Sequence, residues 1–131
     1  MGIQVVWDND EHTVLRHVIE DPWSWNDLGE AFRQMHAMMD TVDFKVHSIM
    51  DMRKTRNIPS NAFTQIRRAG VNDPGHPNHS RLTVFVGASL FAKALLSVIG
   101  RTYRTLNEYN DFRFVETLDQ AYALIEKERA K

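Results

Sequence analysis

The stretch Ile3-Gln-Val-Val-Trp7-Asp-Asn-Asp-Glu-His12-Thr-Val-Leu-Arg-His-Val-Ile19 is two β-rich runs around a polar turn, and the fold class depends on how they are joined. Asp8 to His12 is too short for a crossover, so the runs must pair antiparallel as a hairpin. Asp21-Pro22 ends the second run, which delays the first helix until two strands have been made. Ser24 reads as that helix's N-cap, with Asp27 three residues on as its capping-box partner. Leu28, Ala31, Phe32, Met35, Met38, Met39 and Val42 then recur at helical spacing.

From here helix and strand alternate. Lys45 to Met50 predicts a third strand, and Pro59 with Ser60 opens a second helix that turns Phe63 and Ile66 inward and stops near Gly70. Asn72-Asp-Pro-Gly-His-Pro-Asn-His79 is rich in turn formers and predicts an exposed loop. Arg81 to Gly87 holds Leu82, Val84, Phe85 and Val86, the near-continuous apolar run of a strand covered on both faces, which places it at the sheet centre. Ser89 caps a third helix whose stripe is Leu90, Phe91, Ala94, Leu95, Val98 and Ile99. Phe112 to Val115 is a fifth strand, and Thr117-Leu-Asp-Gln120 is a capping box for a last helix burying Leu118, Ala121, Leu124 and Ile125. The order is ββαβαβαβα. Short connections between successive β-α-β units predict an α/β fold: a mixed sheet of about five strands, parallel across strands three to five, with helices packed against it. Without a repeat or linker, residues 1–131 read as a single domain.

Composition narrows the function classes. The net charge of -1 supplies no field for nucleic acid, so any anion site must be local. There is no cysteine, hence no disulfide, thiolate nucleophile or cysteine-zinc site, which suits a reducing, cytoplasmic setting. No apolar run approaches the ~18 residues needed for membrane insertion. The oligomeric state is open, a homo-oligomer included.

The most informative local segment follows the third strand: Asp51-Met-Arg-Lys-Thr-Arg-Asn-Ile-Pro-Ser60-Asn-Ala-Phe63. A serine stands where a basic stretch meets a helix start. In element order and in this placement, nearly the whole chain resembles the STAS family, the sulfate-transporter and anti-sigma-factor-antagonist domains. In STAS antagonists a serine at the start of the second helix is phosphorylated by the partner kinase, within a stretch like Asp-Ser-Ser-Gly-Leu. Ser60 falls on that serine and Phe63 on the apolar position, with Pro59, Asn61 and Ala62 in place of the acidic residue, second serine and glycine. The resemblance implies a non-enzymatic regulatory domain that recognises an anti-sigma-type or other regulator through the surface from Arg53 to Arg68. Arg53, Lys54, Arg56 and Arg67 are its partner- or anion-binding candidates. A phosphate on Ser60 would meet helix N–H groups and the positive end of the dipole. The plainer reading makes Ser60 a capping residue and the basic side chains solvated.

Other motifs exclude more than they assign. Asp51 sits where response-regulator receivers keep a phosphorylated aspartate, but the hairpin start and the lysine-free fifth strand rule that out, and Asp51 is expected to pair with Arg53 or another base. His76 and His79 have no third ligand at metal-binding spacing and read as a solvated loop. His17, His36 and His47 show no partner for general-base work, and neither a nucleophile elbow nor a phosphate loop is present, so neither enzyme nor cofactor is expected. Trp23 and Trp25 flank Ser24, either as a staple and lid on the sheet or as an exposed aromatic rim for a ligand or partner, core packing being the plainer reading. The alternative function is a module for a small apolar or lipid-like ligand, with Phe32, Met35 and Phe91 lining its pocket.

Overall fold

The computed structural model describes residues 2–62, 64, 65, 68, 76–102 and 111–130. It is an α/β fold. β1 (Gly2–Trp7) and β2 (Val14–Glu20) form the hairpin, followed by α1 (Trp25–Met39), β3 (Val46–Lys54), β4 (His79–Val86), α2 (Leu90–Thr102), β5 (Asp111–Val115) and α3 (Leu118–Arg129). The sheet order is β1-β2-β3-β4-β5, with β1 antiparallel to β2 and every later pairing parallel.

Side-chain alternation along the strands splits the core in two. Val14, Ile49, Leu82, Val84 and Val86 meet Ala121 and Ile125 of α3 on one face. On the other, Ile19, Met50, Met52 and Phe85 meet Ala88 and Ala92, while Leu15 and Val46 meet Met35 and Met39 of α1. Both expected capping boxes form. Ser24 Oγ accepts from the Asp27 N–H and Asp27 from the Ser24 N–H; Thr117 and Gln120 repeat the arrangement at α3. Each reciprocal pair satisfies two otherwise orphaned N–H groups.

Three expectations are corrected. The middle strand is β3, not β4, because the hairpin adds two strands beyond it; β4 is nevertheless interior, with Val84 and Val86 fully buried. Val46 to Met52 is buried throughout although it carries His47, Ser48 and Asp51, and those polar residues conceal its central position in the sequence. The α2 stripe is turned: Ala92 is buried and Leu96 partly so, whereas Leu90, Phe91 and Val98 are exposed and Leu95 is half-buried. Ala88, Ala92 and Leu96 follow one another at i, i+4 spacing, and two small residues let the helix start sit close to Phe85. Ala92→Leu should therefore overpack this contact and lose about 1–3 kcal/mol in a urea melt, while Leu95→Ala loses about 1 kcal/mol or less. The reverse ranking would restore the stripe read from sequence. Finally, His76 and His79 are not solvated: His79 opens β4, and the His76 side chain is only 9% exposed against Asp40.

Candidate functional site

At the C-terminal end of β3 the chain enters the loop 55–61. Three anchors fix it against the start of α1. Trp23 Nε1 donates to Thr55 Oγ1 at 2.9 Å, and that hydroxyl donates to Asp21 Oδ1 at 2.7 Å. The Arg56 N–H donates to the second Asp21 oxygen at 2.8 Å. Trp25 Nε1 donates to the Ser60 carbonyl at 2.7 Å, with its ring edge-on to Trp23 at 5.1 Å. The Arg56 N–H, then the Thr55 hydroxyl, hold the Asp21 carboxyl below its ordinary pKa. Both tryptophans thus tie the loop down, and Trp23 also packs on the sheet. Asp21-Pro22, which ends β2, is a cis peptide.

Ser60 is exposed in a turn, followed by Asn61 at a left-handed φ of 64°. Asparagine tolerates that region better than most residues. Ala62, Thr64, Gln65 and Arg68 are helical, and the Gln65 N–H bonds the Asn61 carbonyl at 2.9 Å. Phe63, Ile66, Arg67 and Gly70 lie outside the described residues. Lys54 and Arg56 are exposed beside Ser60's loop, but Arg53 is engaged elsewhere. Alternation along β3 sends Arg53 to the face opposite Lys54, where it grips Asp51 by two bonds of 2.8 Å. Arg53 accordingly does not share a cradle with Lys54 and Arg56.

Asp51 is the centre of a buried charge network. Burial alone would raise its pKa, yet the Arg53 side chain and backbone N–H, reinforced by Arg16 at 3.5 Å, bring it below the ordinary carboxylate value. Arg16 Nε also lies 3.2 Å from Asp8, close enough for an ion pair but not aligned for a hydrogen bond. Tyr122 of α3 donates to Asp8 at 2.6 Å; burial first, then this bond and the Asp8 charge, push the phenol up to about 12. Two carboxylates face two guanidiniums, so this network is neutral and structural. Gly87 completes it: its φ is +70°, and a Cβ there would stand 2.7 Å from Arg53 Cγ.

The opposite end of the sheet carries an open cleft of about 540 Å³, walled by Thr13, Lys45, His47, Ser80, Glu128 and Arg129, with His79 beside them. Every residue of its wall carries a polar or charged group, although aliphatic stems contribute much of the lining. His47 is depressed below its ordinary pKa by burial and Arg129, partly offset by Glu128 and Glu126. Beneath α1 lies a second set of histidines that sequence reading left without roles. His76 Nδ1 accepts from the Asn78 N–H, so its proton is on Nε2 and is donated to Asp40 at 2.7 Å; His36 stands edge-on to the same ring. His79 Nε2 is 3.0 Å from Ser48 Oγ. Among the described residues, no three His, Asp or Glu side chains converge to hold a metal ion.

Phe32 and Met35 belong to the closed cluster with Leu15, Met39 and Val46, whereas Phe91 is 65% exposed on a different helix. The structure does not bring these three into one pocket. The Ser60 loop follows the C-terminal end of β3 and α2 follows that of the parallel β4, so both lie at one end of the sheet; Ile58 and Ala92 pack into the same cluster there, and the outward side of α2 carries Leu90, 84% exposed. Sequence reading found the loop but assigned α2's apolar residues to the core. No helix among the described residues is long and apolar enough to cross a membrane. Neither a protein-family model nor a curated protein matches the chain.

Proposed function

We propose that this protein is a non-enzymatic, STAS-like regulatory domain of the cytoplasm that recognises a protein partner at the end of the sheet formed by the Ser60 loop and α2. The observation that carries the reading is the outward display of Leu90, Phe91 and Val98 from a helix whose Ala92 and Leu96, among its described side chains, reach the core. Large apolar side chains gathered on one exposed helix face are characteristic of protein-recognition surfaces. Exposed Ser60, with Lys54 and Arg56 near it, gives that surface a hydroxyl whose phosphorylation would add charge at its rim. Modification there switches the partner off or on without rearranging the interior.

Photo-crosslinking in the native cell tests this. A benzoylphenylalanine at position 91 should give one discrete adduct, absent when the probe replaces exposed Gln34 on α1, and reduced at least severalfold when Ser60→Asp is added. Mass spectrometry of the same protein should find phosphate on Ser60. No adduct at position 91, together with unmodified Ser60, would remove the reading.

A further inference from the structure

Among the described residues, the edge of the sheet at β1 is open: β1 is the terminal strand of the order and pairs with β2 on one side only. Its sequence Gly2-Ile-Gln-Val-Val-Trp7 holds no charge and no proline, and its register with β2 runs unbroken. Natural edge strands are normally blunted by lysine, proline, a bulge or shortness. β5, at the other edge, is shorter and carries Asp111 and Arg113. Along β1, Gly2 is buried, Gln4 is exposed, and Ile3, Val5, Val6 and Trp7 are partly buried, with Ile3, Val5 and Trp7 packed against the core on one face.

Hydrogen-bond phase identifies which groups are open. The Asp8 N–H bonds the Val14 carbonyl at 2.8 Å, continuing the β1–β2 pairing by one residue. Antiparallel strands alternate, so residues 4 and 6 also direct their backbone groups to β2, and the N–H and C=O of Ile3, Val5 and Trp7 point outward. We infer that β1 is a self-pairing edge, joining the β1 of a second copy antiparallel about a two-fold axis at Val5. Ile3 would then lie opposite Trp7 of the copy and Val5 opposite Val5, each pair exchanging both backbone bonds. The occupant is a second copy for two reasons. An antiparallel strand about a two-fold is complementary to itself, and this strand has no like charges to repel. The register also sets an aromatic against a β-branched side chain on one face of the sheet. The edge is short relative to a standard interface, so the dimer is weak and concentration-dependent. This inference is independent of the proposed partner surface, which lies on α2 and the Ser60 loop.

Sedimentation equilibrium of the full chain, 15.2 kDa as monomer, should show a monomer–dimer equilibrium that moves to dimer with concentration. Val5→Pro removes an outward N–H that the protomer itself does not use, and proline is tolerated at such edge positions. It should reduce association at least tenfold with an unchanged circular dichroism spectrum. Gln4→Lys, at an exposed position, should weaken it in the same direction and serves if Val5→Pro does not fold. Because the chain has no cysteine, Val5→Cys should form a disulfide-linked dimer under mild oxidation, while Gln4→Cys, diagonal to its copy, should not. A chain that stays monomeric at its highest soluble concentration, or a dimer indifferent to both edge variants, overturns the inference; the former outcome leaves the edge to a foreign strand.

Discussion

Asp51→Ala should shift the urea unfolding midpoint sharply downward, with a loss of about 3 kcal/mol. The carboxylate is 2% exposed and accepts from the Arg53 backbone N–H, its Nε and its Nη2, with Arg16 Nη1 at 3.5 Å. Truncation leaves two guanidiniums without their shared anion. Arg53, with 44% of its side chain exposed, can turn toward water, which keeps the loss at the low end of about 3–5 kcal/mol for breaking a buried pair. Arg16, at 24%, retains only its misaligned contact with Asp8. A change below about 1 kcal/mol would mean that the network is a surface ornament rather than the tie between β1, β2 and β3.

Acidification should be the second large effect. His17 is completely buried under α1, edge-on to Phe32, and neither ring nitrogen makes a well-aligned hydrogen bond, the Ile49 carbonyl being the polar group near it. Burial lowers its pKa from 6.5 to about 4, with the Ile49 carbonyl raising it and His79 lowering it further. The folded protein therefore keeps this imidazole neutral at pH values where the unfolded chain has already taken up a proton. Between the two pKa values the unfolded state binds more protons, so stability rises with pH. The contribution is fully present above pH 6.5 and is lost as pH falls toward 4, by about 3 kcal/mol. His17→Leu, which removes the unsatisfied nitrogens while retaining an apolar body, should be at least as stable at neutral pH. Comparing the two proteins from pH 7.5 to 4 isolates the histidine from the carboxylates, because those titrate in both. Parallel pH profiles would refute the assignment.

These two residues mark where the sequence was readable and where it was not. The hairpin and both capping boxes depend on local chemistry, so period and cap residues placed the hairpin strands within one residue and both caps where they stand, whereas α1 ends at Met39, three residues short of Val42. β3 was longer than expected because Asp51 to Lys54 looks like polar loop; only the cross-strand partners of Asp51 make it strand. The pairing of Asp51 with Arg53 was legible, since residues i and i+2 share a face of a strand. Arg16 and Tyr122 were not, being joined to the network through the packing of β2 and α3. His17 reads as one polar position in a β-rich run, and nothing in its neighbours announces complete burial. At α2 the larger apolar side chains of Leu90, Phe91 and Val98 outvoted Ala88, Ala92 and Leu96, although it is the latter three that pack on the sheet. A stripe of Ala88 and Ala92 at i, i+4 spacing was the available signal. For the candidate surface, Ser60 and its exposed basic neighbours were legible by position, whereas the tryptophan bonds to Thr55 and Ser60 span more than thirty residues and belong to tertiary structure alone.

The strictly sequential strand order has a consequence for how the molecule is made. Each strand lies beside the one synthesised just before it, so a nascent chain never has to leave a gap for a later strand to fill. The hairpin needs only local closure, and β3, β4 and β5 can each dock on an edge already standing. The two faces, however, are not completed together. Val14, Ile49 and Val84 are covered by Ala121 and Ile125, which emerge last. A chain that has emerged only as far as Glu116 would have the five described strands but neither Ala121 nor Ile125 over Val14, Ile49 and Val84, and in that interval it would depend most on chaperones.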